Sequence, residues 1–177
     1  PLHHSTTPPL HHSTTPPLYN YYMITYLLAG AIGGLVAFVF AIPAIILEII
    51  ERGDVKNLPL LVDIKTVLGR RFHKEEVFLM ATFFHIVLGI VYGIFYVLFA
   101  NQGWLLITNE PYSLFSMILF AVLIWFVVGA VVYPLLQMGW FGSREGRLVW
   151  LELLVSLLLI GLGWWVVVHF YYQPFFF

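Results

Sequence analysis

Four apolar runs dominate this chain and leave it few ways to fold. They cover roughly residues 23–50, 77–100, 112–138 and 148–172. Each is long enough to carry a helix across a bilayer core, which takes ~20 residues. Inside lipid there is no water for backbone N–H and C=O groups, so a spanning segment must pair them within itself, as a helix does. The alternation of apolar and polar residues that marks a membrane barrel is absent. Charged residues make up only 10% of the 177 positions, against ~25% in soluble domains. The expected fold is an all-α membrane protein, an up-down bundle of four transmembrane helices.

Charge placement predicts the orientation. All eight Lys and Arg fall in two connections. Arg52, Lys56, Lys65, Arg70, Arg71 and Lys74 lie between the first and second runs, and Arg144 and Arg147 between the third and fourth. The positive-inside rule then places loops 51–76 and 139–147 in the cytoplasm and both termini outside, in the inner membrane of a bacterium. Alternating helix direction requires the same grouping. Tyr19, Tyr22, Trp104, Tyr112, Trp140, Trp150, Trp164 and Trp165 sit near the run ends, where amphipathic rings favour the headgroup level.

Outside the runs, residues 1–22 open on PLHHSTTP twice over. This mixture of Pro, Ser, Thr and His is too poor in apolar residues to fold alone. It reads as an extramembrane arm that would order only against a larger assembly. With Pro at position 1, the numbered chain is expected to be trimmed at its start. Residues 173–177 form a short outer tail. In the first inner connection Leu60, Leu61, Ile64, Val67, Leu68 and Phe72 recur at helical spacing opposite Asp63, Lys65, Arg70 and Arg71. That pattern predicts a short interfacial helix on the cytoplasmic surface.

Within the runs, small and polar residues stand out. Gly30 and Gly34 on the first helix, and His85, Gly89 and Gly93 on the second, are spaced four apart, so each set lines one face. Small-xxx-small faces let membrane helices approach closely, which predicts a seam through Gly30, Gly34, Gly89 and Gly93. His85 falls on that seam as an intramembrane ionisable residue. An imidazole there can be the axial ligand of haem iron or chlorophyll magnesium. The other intramembrane histidine, His169, lies near the opposite membrane face and matches it poorly in depth. Glu48 and Glu152 lie near the inner ends of their helices, where carboxylates form interfacial ion pairs or proton sites. A relay from them through His85 would have only Tyr92, Tyr96 and Tyr133 to continue it outward.

There is no Cys, which excludes disulfides, thiolate metal sites and cysteine nucleophiles. HExxH, GxSxG, phosphate-loop and dinucleotide motifs are all missing. No protein metal site is expected, the HH pairs of the arm having neither carboxylate nor scaffold. The six basic residues of one loop are explained by orientation, so nucleic acid is not an expected partner.

The segments LLAGAIGGLVA, LPLLVDIKTVLG and HIVLGIVYGIFY, and a third helix ending in Pro before GWFG, resemble a group of small uncharacterised four-helix bacterial membrane proteins. The resemblance covers roughly residues 27–142 and implies the fold but no activity. It would also imply a second His-containing, Gly-spaced segment, where the fourth helix offers only Gly161, Gly163 and the distant His169. Three functions are expected from the sequence. The first is a non-catalytic accessory or structural subunit of a larger membrane complex, respiratory or photosynthetic, with lipids and other membrane subunits as partners. The second is a haem- or chlorophyll-binding protein with His85 as ligand. The third is a small proton-coupled transporter using Glu48, Glu152 and His85.

Overall fold

A computed structural model of the chain describes residues 18–51, 66–67, 70–71, 73–105 and 110–171. Helix α1 (Leu18–Glu51) is followed by two short strands, β1 (Thr66–Val67) and β2 (Arg70–Arg71), and by α2 (Lys74–Asn101). Helix α3 (Leu114–Val127) runs on through a π-helical turn (Val128–Val132) into α4 (Tyr133–Leu135). A 3₁₀ turn (Trp140–Gly142) then leads to α5 (Val149–Tyr171). Four segments have the length and composition of membrane spans: Met23–Ile46, Glu76–Asn101, Leu114–Leu135 and Val149–Phe170. Their outward faces carry apolar side chains such as Leu27, Leu79, Phe115, Phe126 and Leu135. Water would not tolerate such a surface, whereas lipid does. This is an integral membrane protein, an all-α four-helix bundle.

Local chemistry sets the helix ends. The Glu76 carboxylate accepts the His73 backbone N–H at 3.0 Å and caps α2. Ser113 Oγ accepts the Ser116 N–H at 3.2 Å and caps α3. Glu152 stands in the first turn of α5, where the helix dipole favours a carboxylate. Pro134 has no N–H to give to the preceding turn, and the helix before it widens to π pitch, which relieves the clash of the proline ring.

The interfacial helix expected across 60–72 is corrected at its C-terminal half. There Thr66 pairs with Arg71 and Val67 with Arg70 in a two-residue antiparallel ladder. Thr and Val favour extended backbone, and Gly69, between the strands in sequence, costs a helix ~1 kcal/mol relative to Ala. The rest of that connection, the arm over 1–17 and the tail 173–177 lie outside the described residues, as does the side chain of Glu48.

The tightest packing is between α1 and α2. Ala29, Gly33, Ala37 and Ala41 form one stripe at four-residue spacing, all buried. Ala81, His85, Gly89 and Gly93 form the facing stripe. A methyl group on Gly33 would run into the Gly89 carbonyl, and one on Gly93 into the Ala29 carbonyl. Gly30 and Gly34 lie beside this line rather than on it, under the side chains of Ile94 and Ile90. Helix α5 packs on α3 and α1, whereas α2 meets both α3 and α5 sparsely.

The half of the bundle around Ala29 and Trp164 is filled by rings. Tyr92 and Tyr96 stack at 6.2 Å, and Phe120 meets both edge-on at 5.2 Å. Trp164 lies 5.4 Å from Tyr96 and donates its indole N–H to the Ala29 carbonyl at 3.3 Å. Tyr92 donates to the Met117 carbonyl at 2.7 Å. Tyr96 bonds the Pro111 carbonyl and lies 2.9 Å from the Ser116 hydroxyl. Both stacked phenols are therefore partnered, as an apolar interior requires.

Candidate functional site

Below the aromatic layer the bundle is not filled. A cavity of about 250 Å³ opens where α2, the π turn with α4, and α5 come together. Helix α2 contributes Ala81, Phe84, His85, Leu88 and Val91; the π turn and α4 contribute Val128, Val132 and Tyr133; α5 contributes Leu153 and Ser156. The cavity has a structural cause. α2 is held against α1 by the small-residue stripe, and α3 against α5, so the sparse α2–α3 contact leaves space between the pairs. The π turn places Val128 and Val132 along the cavity and sets Tyr133 at its end. Such turns recur at functional sites.

The inner connection after α4 folds back against this region. The Phe141 ring lies so close to Gly129 that no methyl group fits there, and it meets Trp125 at a tilt with ring centres 4.9 Å apart. Gly142 packs under Tyr133 and Val149. Phe141 (φ 49°) and Gln137 (φ 64°) hold left-handed backbone that non-glycine residues seldom adopt. Arg144 donates to the Gln137 carbonyl at 3.3 Å. Glu145 is buried, and both Glu145 and Glu152 lie near enough to Tyr133 to interact with it electrostatically.

His85 is the polar head of the cavity. It is 5% exposed, and its Nε2 is buried without a hydrogen-bond partner. The ring lies close to the Ala37 backbone across the helix seam. Ser156, from α5, reaches the same cavity. No hydrogen bond joins it to His85 Nε2, so the two do not form a nucleophile–base pair.

The other sequence-derived residues are dispersed. Gly30, Gly34, Gly89 and Gly93 all lie at the α1–α2 contact. Glu152 does not line the cavity but lies near enough to Tyr133, which does, to interact with it electrostatically. His169 is exposed in the last turn of α5 and stacks on Trp165 at 5.2 Å. On α1, Trp164 is level with Ala29 and His85 with Ala37, so His169 lies about 20 Å of helix rise from His85 and cannot share a metal with it. Among the described residues no group of three or more His, Cys, Asp or Glu is placed to hold a metal ion. A tetrapyrrole fits poorly: the cavity is smaller than the ~300–1,000 Å³ that enclose drug-sized ligands. Sequence reasoning missed Ala29, Gly33 and Ala37 as seam residues, Ser156 as a cavity residue and the burial of Glu145. The AxxxGxxxAxxxA spacing from Ala29 was the available signal for the first three.

The chain matches no family model, no curated protein and no solved structure.

Proposed function

We propose that the protein is a non-catalytic membrane component that holds a small membrane-dissolved molecule in the cavity headed by His85. One observation carries this reading: His85, whose Nε2 is buried without a hydrogen-bond partner, lines a cavity whose other walls are mainly apolar. Buried polar groups are otherwise satisfied in folded proteins, and an exception calls for a ligand or a mechanism. The ring layer argues against transport. His85 and Tyr92 are two turns apart with Leu88 between them, and the Tyr92 and Tyr96 hydroxyls are both committed to carbonyls. Neither of these two phenols is therefore free to relay a proton from the cavity through the ring layer.

In this reading the protein serves as an accessory, ligand-holding subunit in a bacterial inner membrane. The eight basic residues in two connections support an orientation with those connections cytoplasmic and both termini outside. The exposed apolar faces suit lipid and partner helices alike.

The test is extraction into polymer-bounded native nanodiscs followed by native mass spectrometry. The wild-type chain is expected to carry a bound small molecule that the cavity-filling variant Val128→Phe loses, and to co-migrate with other membrane subunits. A chain that carries only bulk lipid, identical in both variants, overturns the binding reading. A chain that runs alone overturns the subunit role.

A further inference from the structure

The loop between α4 and α5 forms a second cleft, which shares no lining residue with the His85 cavity. It is open, has a volume of about 420 Å³, and is lined by Trp140, Ser143, Arg144, Arg147 and Trp150. All five of these residues are exposed. One carboxylate shares the lining, that of Glu145, which is buried and lies beside Tyr133. Two guanidiniums against one carboxylate leave the cleft with an excess of positive charge.

The loop is tied down from several sides. Gly139 and Gly142 take left-handed backbone (φ 79° and 73°) that turns the chain back on itself. The Arg144 N–H donates to the Met138 carbonyl at 3.1 Å, and the Glu145 N–H to the Gly142 carbonyl at 2.9 Å. The Trp125 indole N–H donates to the Trp150 carbonyl at 2.8 Å and ties the end of the loop to α3. The bond from the Arg144 guanidinium to the Gln137 carbonyl holds that side chain and leaves the rest of its planar fork to donate elsewhere. Such a fork matches the oxygens of a phosphate. The loop joins the spans Leu114–Leu135 and Val149–Phe170, so it lies at a membrane face. Trp140, Leu148 and Trp150 are exposed beside the arginines. Tryptophan and arginine together are the pattern of headgroup level. A free anion would use the arginines alone, whereas a lipid uses the apolar neighbours as well.

We propose that this cleft binds the phosphate of an anionic phospholipid. Arg144 and Arg147 donate to the phosphate oxygens with Ser143 beside them, and Trp140 and Trp150 flank the headgroup. The site is independent of the His85 cavity and of what that cavity holds.

The test reconstitutes the full chain in nanodiscs of equal phosphatidylglycerol and phosphatidylcholine, transfers it to mild detergent and identifies the retained lipid by native mass spectrometry. The wild-type chain is expected to keep phosphatidylglycerol in preference. Arg147→Gln, which leaves the bond from Arg144 to Gln137 in place, is expected to lower that retention at least about fivefold with helix content unchanged. Arg144→Gln with Arg147→Gln is expected to lower it further. Arg70→Gln with Arg71→Gln removes the same charge from the other connection at this membrane face and is expected to leave retention nearly unchanged. Val128→Phe, which fills the His85 cavity, is expected to leave it unchanged too, so the two sites pass or fail separately. Equal losses from the two double variants mean attraction by surface charge alone and overturn the site. Lack of headgroup preference in the wild type overturns it as well. Displacement of the lipid by excess inorganic phosphate would make this a soluble-anion site and overturn the assignment to lipid.

Discussion

Replacing Gly33 by Ala separates this packing from the one that sequence spacing suggests. In the seam a methyl group on Gly33 meets the Gly89 carbonyl, a backbone group that moves only if α1 and α2 part. Overpacking of this kind costs ~1–3 kcal/mol. Ala also gains ~0.5–1 kcal/mol over Gly inside a helix. The net loss is then ~1–2 kcal/mol. Gly30→Ala is the control. Its methyl would sit 3.0 Å from Ile94 Cγ1 and 3.3 Å from Ile90 Cγ2, side-chain atoms that need give by only a few tenths of an ångström. The helix gain then offsets the contact, and stability should stay within ~0.5 kcal/mol of wild type. The two variants differ by roughly a factor of ten in unfolding equilibrium. Reversible unfolding in mixed micelles, titrated with SDS and followed by far-ultraviolet circular dichroism, resolves that difference. Equal destabilisation by the two variants, or a neutral Gly33→Ala, would refute the seam described here.

Three other outcomes follow from individual contacts. Tyr92→Phe removes the 2.7 Å bond to the Met117 carbonyl, which keeps its helical partner, so the same unfolding titration should show a loss of only ~1 kcal/mol. Burial, with a smaller contribution from Tyr26, pushes the Tyr112 phenol up to about 12. The folded state then holds this proton while an unfolded chain releases it near pH ~10, so the stability it contributes is complete below pH ~10 and is lost as pH rises through 12. Ultraviolet phenolate difference spectra of wild type and Tyr112→Phe should place its ionisation at that higher pH. Pro134→Ala restores an N–H to the turn before it, favours α over π pitch and moves Val128 and Val132 out of register with the cavity. Occupancy of the cavity, read by native mass spectrometry, should fall several-fold while the helix content stays the same.

The spans were legible because they depend on composition summed over twenty or more residues, which lipid imposes without regard to packing detail. The seam was legible only in part. Ala29, Gly30, Gly33, Gly34 and Ala37 offer two adjacent stripes of small residues on α1, and one residue of rotation separates them. Which stripe meets α2 is decided by Ile90 and Ile94, which need room and take the space over Gly30 and Gly34. The expected interfacial helix failed at Thr66–Arg71, where apolar periodicity outweighed the extended preference of Thr and Val in the reading but not in the backbone. The cavity had no sequence signal, because a void is a property of three elements together. His85 could be singled out as an ionisable residue in a span, but not the side of its ring left unpaired. The left-handed Phe141 was hidden for a similar reason: its ring is held by Gly129 and Trp125, which are distant in sequence.

The central claim, that a small membrane-dissolved molecule occupies the His85 cavity, is tested most directly by photo-crosslinking. A long-chain alcohol carrying a diazirine close to its hydroxyl is irradiated with the protein in nanodiscs, and the adducts are mapped by peptide mass spectrometry. Adducts concentrated on Leu88, Val128 and Leu153, competed by dodecanol and absent in Val128→Phe, are the predicted result. Adducts spread over outward residues such as Leu27, Leu79 and Phe115, with none on the cavity wall, would contradict it.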